Sequence, residues 1–323
     1  MPDTDHPEPR LKHFPIALIP SVMGLTGLVI VFFKAQHTLH LEWPLAKWLL
    51  FAVTAWFLFI LAVYGLKTAK YTAQAVKDFQ HPIRINFFPG ISICFLLGAI
   101  AYTELGWFSV ARTLWWIGAP LHLVLLLTIL YGWFHKPHKL LSFNPAWFIP
   151  VVGPLLVPVV GGQYAHPEIS WFFFAIGLIY WLSLMAVLLN RIFFHDPLPR
   201  KLLPTLFILI APPAVGFIAY VKMTGDVDTF ARILLYFGIF TTLMMLTMVD
   251  QFRKVPYFVS WWGYTFPLAS LTLSLFLMYQ KSNLAMFKAG ALVMTAVTTV
   301  VVVWVLIRTI HTATLGKICV PED

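Results

Sequence analysis

Ten apolar runs separated by short polar connectors organise the whole chain. They cover residues 14–33, 45–66, 85–103, 109–134, 143–163, 169–190, 202–222, 231–249, 256–280 and 287–310. Each is 19 residues or longer, with its charges confined to the ends. An apolar run of about 20 residues spans a bilayer as a helix. Connectors such as HKPHK (135–139), HDPLPRK (195–201) and TGDVD (224–228) are too short to hold a second domain. The pattern predicts a single all-α integral membrane domain of ten transmembrane helices over 14–312. A polar tail over 1–13 precedes it and a short tail over 313–323 follows.

Prolines inside these runs have a rhythm. The odd runs carry Pro20; Pro89; Pro150, Pro154 and Pro158; Pro212 and Pro213; and Pro267. Among the even runs only the fourth has one, Pro120. Taking positions 20, 89, 150, 212 and 267, the intervals are 69, 61, 62 and 55 residues, about two helices each. This is a weak internal repeat of helical hairpins. Proline removes a backbone donor, and lipid cannot satisfy the groups it frees. The odd helices are therefore expected inside and the even helices outside, in a quasi-five-fold arrangement around a central path. Small residues beside the prolines fit close helix approach: Ser21, Gly24, Ser92, Gly153, Gly216 and Gly263. Together with Pro20, Pro89, Pro150, Pro154, Pro212, Pro213 and Pro267, these are the candidate pore-lining or helix-break positions.

Composition agrees with a membrane protein and limits what could pass. Hydrophobic residues make up 60% of the 323 and charged residues 11%, with a mean hydropathy of +0.82. The net charge of +9 comes from short loops, which fits anionic lipid headgroups rather than nucleic acid. Of 22 Lys and Arg, 15 lie on the side of the N-terminus and 7 on the other. Both termini are therefore expected to be cytoplasmic. All 13 acidic residues sit in tails, connectors or segment ends, so a cation filter or a buried proton relay is not visible. Helix breaks would instead turn half-helix N-termini, with their free N–H groups, towards the path, which favours weakly hydrated anions. Of the 11 histidines only His122 lies clearly within a span, and the two cysteines, Cys94 and Cys319, form no CxxC pair. No catalytic constellation, metal set or cofactor site is expected.

The stretch WWGYTFPLAS (261–270) places a large ring, Phe266, between Gly263 and Pro267 near mid-membrane. A ring there either plugs a narrow path or packs between helices. The chain resembles the tellurite-resistance and dicarboxylate transporter family. That family includes bacterial tellurite-resistance proteins, fungal malate and sulfite transporters, and the slow-type anion channels of plant guard cells. The likeness is carried by FPIALIPSVMGL (14–25), HPIRINFFPGISI (81–93), GDVDTFARILLYFG (225–238) and, most specifically, WWGYTFPLAS. The resemblance implies five inner and five outer helices, a homotrimer with one pore per protomer, and an aromatic gate that maps onto Phe266. The plant channels carry long cytoplasmic segments for phosphorylation, and this chain has about a dozen residues before its first run, so kinase gating is not expected. The function expected is an anion channel or channel-like permease for small monovalent anions such as chloride or nitrate, in a bacterial inner membrane. The alternative is a proton-coupled transporter or exporter of malate, sulfite or tellurite, with His122 or an interfacial group carrying the proton.

Overall fold

The computed structural model describes residues 9–321, so part of the expected N-terminal tail and the last two residues lie outside the described residues. Every regular element among the described residues is helical. In order they are α1 (Ile19–Leu39), α2 (Leu45–Lys70), α3 (Thr72–Gln80), α4 (Pro89–Glu104) and α5 (Phe108–His135). Next come α6 (Phe148–Val152), α7 (Val157–Gly161), α8 (Pro167–Phe194) and α9 (Ala211–Thr224). The chain ends with α10 (Thr229–Thr247), α11 (Val249–Arg253), α12 (Thr265–Ser282) and α13 (Ala285–Thr314).

Among the described residues, eight segments are long and apolar enough to cross a membrane. They correspond to expected runs one to four, six to eight and ten. The other two expected runs differ. Run five is divided into α6, a tight 3-10 stretch over Gly153–Leu156, and α7. Run nine contributes the 18-residue α12, which carries Thr265, Ser270, Thr272 and Ser274 and ends near Gln280 and Lys281. The connector after run two also holds an unexpected element, the amphipathic helix α3.

Burial alternates along the chain. The windows within Ile16–Leu39, Arg84–Glu104 and Arg200–Thr224 are each 72% buried, whereas those of the five even runs are 22–39% buried. All residues of α6, Gly153–Leu156 and α7 are buried, as is most of α12. The buried segments pack in sequence: α1 on α4, α4 on α7, α7 on α9, α9 on α12, and α12 back on α1. Each exposed helix packs on the buried one before it: α2 on α1, α5 on α4, α8 on α7, α10 on α9, and α13 on α12.

The prolines, expected from the sequence to break the odd helices, sit where each buried run changes its helical form. Each buried run opens with a 3-10 stretch: Ile16–Leu18, Arg84–Phe87, Pro145–Trp147, Arg200–Ile210 and Val259–Tyr264. An α-helix follows, with proline in its first turn: Pro20 in α1, Pro89 in α4, Pro212 and Pro213 in α9, Pro267 in α12. The first turn has no intrahelical use for an N–H, so proline costs little there and its fixed φ helps start the helix. The prolines thus mark where 3-10 geometry becomes α. The stretch Arg200–Ile210 is 11 residues, long for a conformation seldom sustained beyond three or four.

Close approach explains two of the glycines. A Cβ on Gly24 would lie 1.9 Å from Thr265 Oγ1, so only glycine lets α12 close on α1 there. A Cβ on Gly153 would lie 2.0 Å from His122 Cε1, so this glycine makes room for an imidazole.

Candidate functional site: two cavities and the wall between them

Two cavities face each other across the interior formed by the described residues. The larger, about 470 Å³, opens on the side where both described chain ends lie and has Lys317 and Ile318 in its wall. The smaller, about 50 Å³, lies on the far side. Three residues line both: Leu156, Val215 and Phe266. They come from the 3-10 stretch of run five, from α9 and from the first turn of α12. The wall between the cavities is therefore apolar and built from three separate segments. Phe266 is 8% exposed, and its ring lies over Gly27 of α1, where a Cβ would come within 3.3 Å of Phe266 Cδ2.

The ionisable residues around the larger cavity are His81, Arg84, Lys201, Tyr257 and Lys317, with no carboxylate among its lining residues. Arg84 also bonds Asp78 behind the wall, Nη1 to Oδ1 at 3.0 Å. The far cavity has Lys34, Glu104 and Lys222 at its rim.

Of the candidate positions, Pro20, Gly153, Gly263, Phe266 and Pro267 line the larger cavity. Ser21, Gly24, Pro89, Ser92, Pro150, Pro154, Pro212, Pro213 and Gly216 line neither. Gly24 faces Thr265, and Gly216 faces Leu234 and Leu155, since their Cβ directions point into helix contacts. Ser21 Oγ donates to Leu18 O at 2.6 Å and accepts from Trp56 Nε1 at 2.9 Å, holding α2 on α1.

Ser92 belongs to a second, buried arrangement. Its hydroxyl lies 2.8 Å from Pro89 O and 2.8 Å from His122 Nδ1. His122 Nε2 lies 2.9 Å from Pro150 O. A carbonyl only accepts, so Nε2 carries the hydrogen. Pro154 has no N–H to return to the carbonyl four residues back, and the imidazole supplies one from α5. His122 thereby joins three runs and rests in the notch that Gly153 leaves.

Several contributors carry no signal in the sequence. Leu156 and Val215 are ordinary residues for an apolar run. Asp78 reads as a connector residue, yet it is 3% exposed. It accepts from Lys67 Nζ at 2.5 Å and from Tyr64 OH at 3.3 Å, while Lys67 also donates to Phe14 O at 2.8 Å. A buried carboxylate of this kind pins α3 against α2.

Apolar helices with an exposed greasy surface, enclosing two opposed cavities, define a multi-pass membrane protein. Comparison with known proteins narrows this. Residues 13–310 match the family SLAC1, voltage-dependent anion channel, and the chain belongs to that family. It is 29% identical over 332 residues to the S-type anion channel SLAH2 of Arabidopsis thaliana, covering 98% of this chain and 62% of that protein. It is 28% identical over 298 residues to the uncharacterized transporter MJ0576 of Methanocaldococcus jannaschii, covering 84% and 85%. It is 26% identical over 259 residues to the tellurite resistance protein TehA homolog of Haemophilus influenzae, covering 77% and 76%. The chain spans 62% and 51% of the lengths of two Arabidopsis channels that it matches, SLAH2 and SLAH3.

Proposed function

We propose that this protein is an anion channel, or a channel-like permease, whose path runs from the larger cavity through the apolar wall to the far cavity. The observation that carries the reading is the wall itself: two cavities, one on each side, share only Leu156, Val215 and Phe266. An apolar constriction blocks ions because an ion there loses its water and finds no polar partner. Phe266 is the gate on this reading, with Leu156 and Val215 as its frame. The ten runs form five hairpins around the path, the odd runs inside.

Charge supports the anion. Arg84, Lys201 and Lys317 line the larger cavity, and among the described residues no carboxylate does. Such a vestibule raises the local anion concentration and repels cations. The family and the S-type channels named above point the same way. Chloride and nitrate suit the path, since a small monovalent anion sheds its water at lower cost than a dicarboxylate. The charge bias of the loops supports cytoplasmic termini, which on this reading puts the larger cavity on the cytoplasmic side. A homotrimer with one path per protomer is part of the proposal and rests on the family likeness.

The test is voltage-clamp current from wild type and Phe266→Ala under opposed chloride and sodium gradients. The expected outcome is a current at least tenfold larger in the variant, reversing near the chloride potential. An unchanged current from well-folded variant removes the gate. No current from either, with pH-driven malate uptake by wild type, moves the protein to the coupled transporters.

A further inference from the structure

The far cavity has a rim that the gate does not require. Lys34 of α1 and Glu104 of α4 meet there, with Lys34 Nζ 2.7 Å from both carboxylate oxygens. That pair is internally neutralised. Lys222 of α9 stands at the same rim and makes no ion pair or hydrogen bond among the described residues. A neighbouring lysine, Lys281, does not line the cavity and donates to the carbonyl oxygen of Gly225 at 2.6 Å. The rest of the lining is mostly apolar, with Ile30, Leu97, Leu273 and Leu277 beside the Phe266 ring, and carries two neutral polar residues, Ser270 and Gln280.

A cation with no ion pair or hydrogen bond of its own, at the mouth of a small and mostly apolar cup, attracts an anion. The cup is small. Its volume of about 50 Å³ admits a few water-sized species, since roughly 10–15 Å³ of such space holds one water. We infer that the far cavity is a binding site for one small monovalent anion, held by Lys222 and tuned by the Lys34–Glu104 pair. Glu104 cancels the charge of Lys34 and so keeps the site at one net positive charge. This keeps affinity low enough for release while still collecting the ion. The inference rests on the path proposed above for its place in transport, but the site itself binds whether or not the path conducts.

The three charges give signs that packing alone does not. Lys222→Gln removes the binding charge, so the half-saturating far-side chloride concentration rises about two- to fivefold, the range of a partly solvated ion pair. Glu104→Gln frees Lys34 and adds a positive charge, so that concentration falls. Lys34→Gln exposes the Glu104 carboxylate, so it rises. All three shifts shrink as ionic strength rises, because exposed charges are screened within about 10 Å at 0.1 M. Currents are read in the Phe266→Ala background. A purely structural pair predicts that Glu104→Gln and Lys34→Gln shift the curve in the same direction, since each breaks the same bridge.

A second readout needs no current. Purified protein should broaden the chloride-35 NMR line, nitrate should reverse the broadening, and Lys222→Gln should lose at least half of it. Equal broadening by wild type and Lys222→Gln, or shifts of the same sign in the Lys34 and Glu104 variants, overturns the site. Lys222-dependent broadening without any Phe266→Ala current overturns the channel and leaves the site standing.

Discussion

At the scale of the residue, His122 shows how one side chain answers a deficit written elsewhere in the chain. Pro150 and Pro154 are four residues apart, so the carbonyl of Pro150 has no N–H four positions on. The ring of His122 meets it at 2.9 Å and is fully buried. His122→Ala leaves that carbonyl without this donor, beside the empty notch at Gly153. Losing a buried partner costs about 1–3 kcal/mol, which a thermal melt of the purified protein reads as a lowered Tm. Gly153→Ala alone puts a methyl into the ring and also lowers Tm. The double variant should lose less than the sum, because the clash vanishes with the ring. The raw signal for this is present in the sequence, as one histidine in a span and two prolines at a spacing of four. That the two meet is not, because α5 and run five are joined only by the packing of the fold. Leu156 and Val215 are less legible still, since nothing in a leucine or valine of an apolar run says which way it points.

At the scale of the element, the proline rhythm is legible because it repeats over the whole chain. The alternation in burial follows the same odd and even runs. What the rhythm leaves open is the local form. Proline in the middle of a run and proline in the first turn of a helix are the same letters; only the preceding 3-10 stretch decides between them. The helix α3 is illegible for another reason: with Lys77 and Asp78 among its nine residues, it reads as a polar connector. Its anchor is the buried Asp78, held by Lys67 and Arg84. Asp78→Asn strips the partner from Lys67, which is 2% exposed. Removing one partner of a buried ion pair costs about 3–5 kcal/mol, so this variant should melt well below wild type. Adding Lys67→Met should recover much of the loss, because no buried charge then remains unpaired. A Tm unchanged by Asp78→Asn would mean that α3 is held by its apolar face alone.

At the scale of the whole molecule, the cavities leave a barrier only one layer of side chains thick. The same layer draws on three separated stretches of chain, so its tightness depends on how three segments seat against each other. Leu156→Ala and Val215→Ala should therefore leak as Phe266→Ala does, but with smaller currents, because each widens the frame without removing the ring. Currents from the three variants, normalised to surface protein, test that order; a Leu156→Ala current above that of Phe266→Ala would make leucine the principal stop. The thinness of the layer also bears on voltage. Moving one charge through 100 mV of membrane potential involves about 2.3 kcal/mol of electrical work. Phe266, Leu156 and Val215 carry no charge, so a ring swinging aside draws none of that work. On the proposed path, the membrane potential pulls on the ion and leaves the door alone. Sensitivity to voltage would then reside in the permeating anion or in charged side chains elsewhere, and a sensor sought in the proposed gate would be sought in the wrong place.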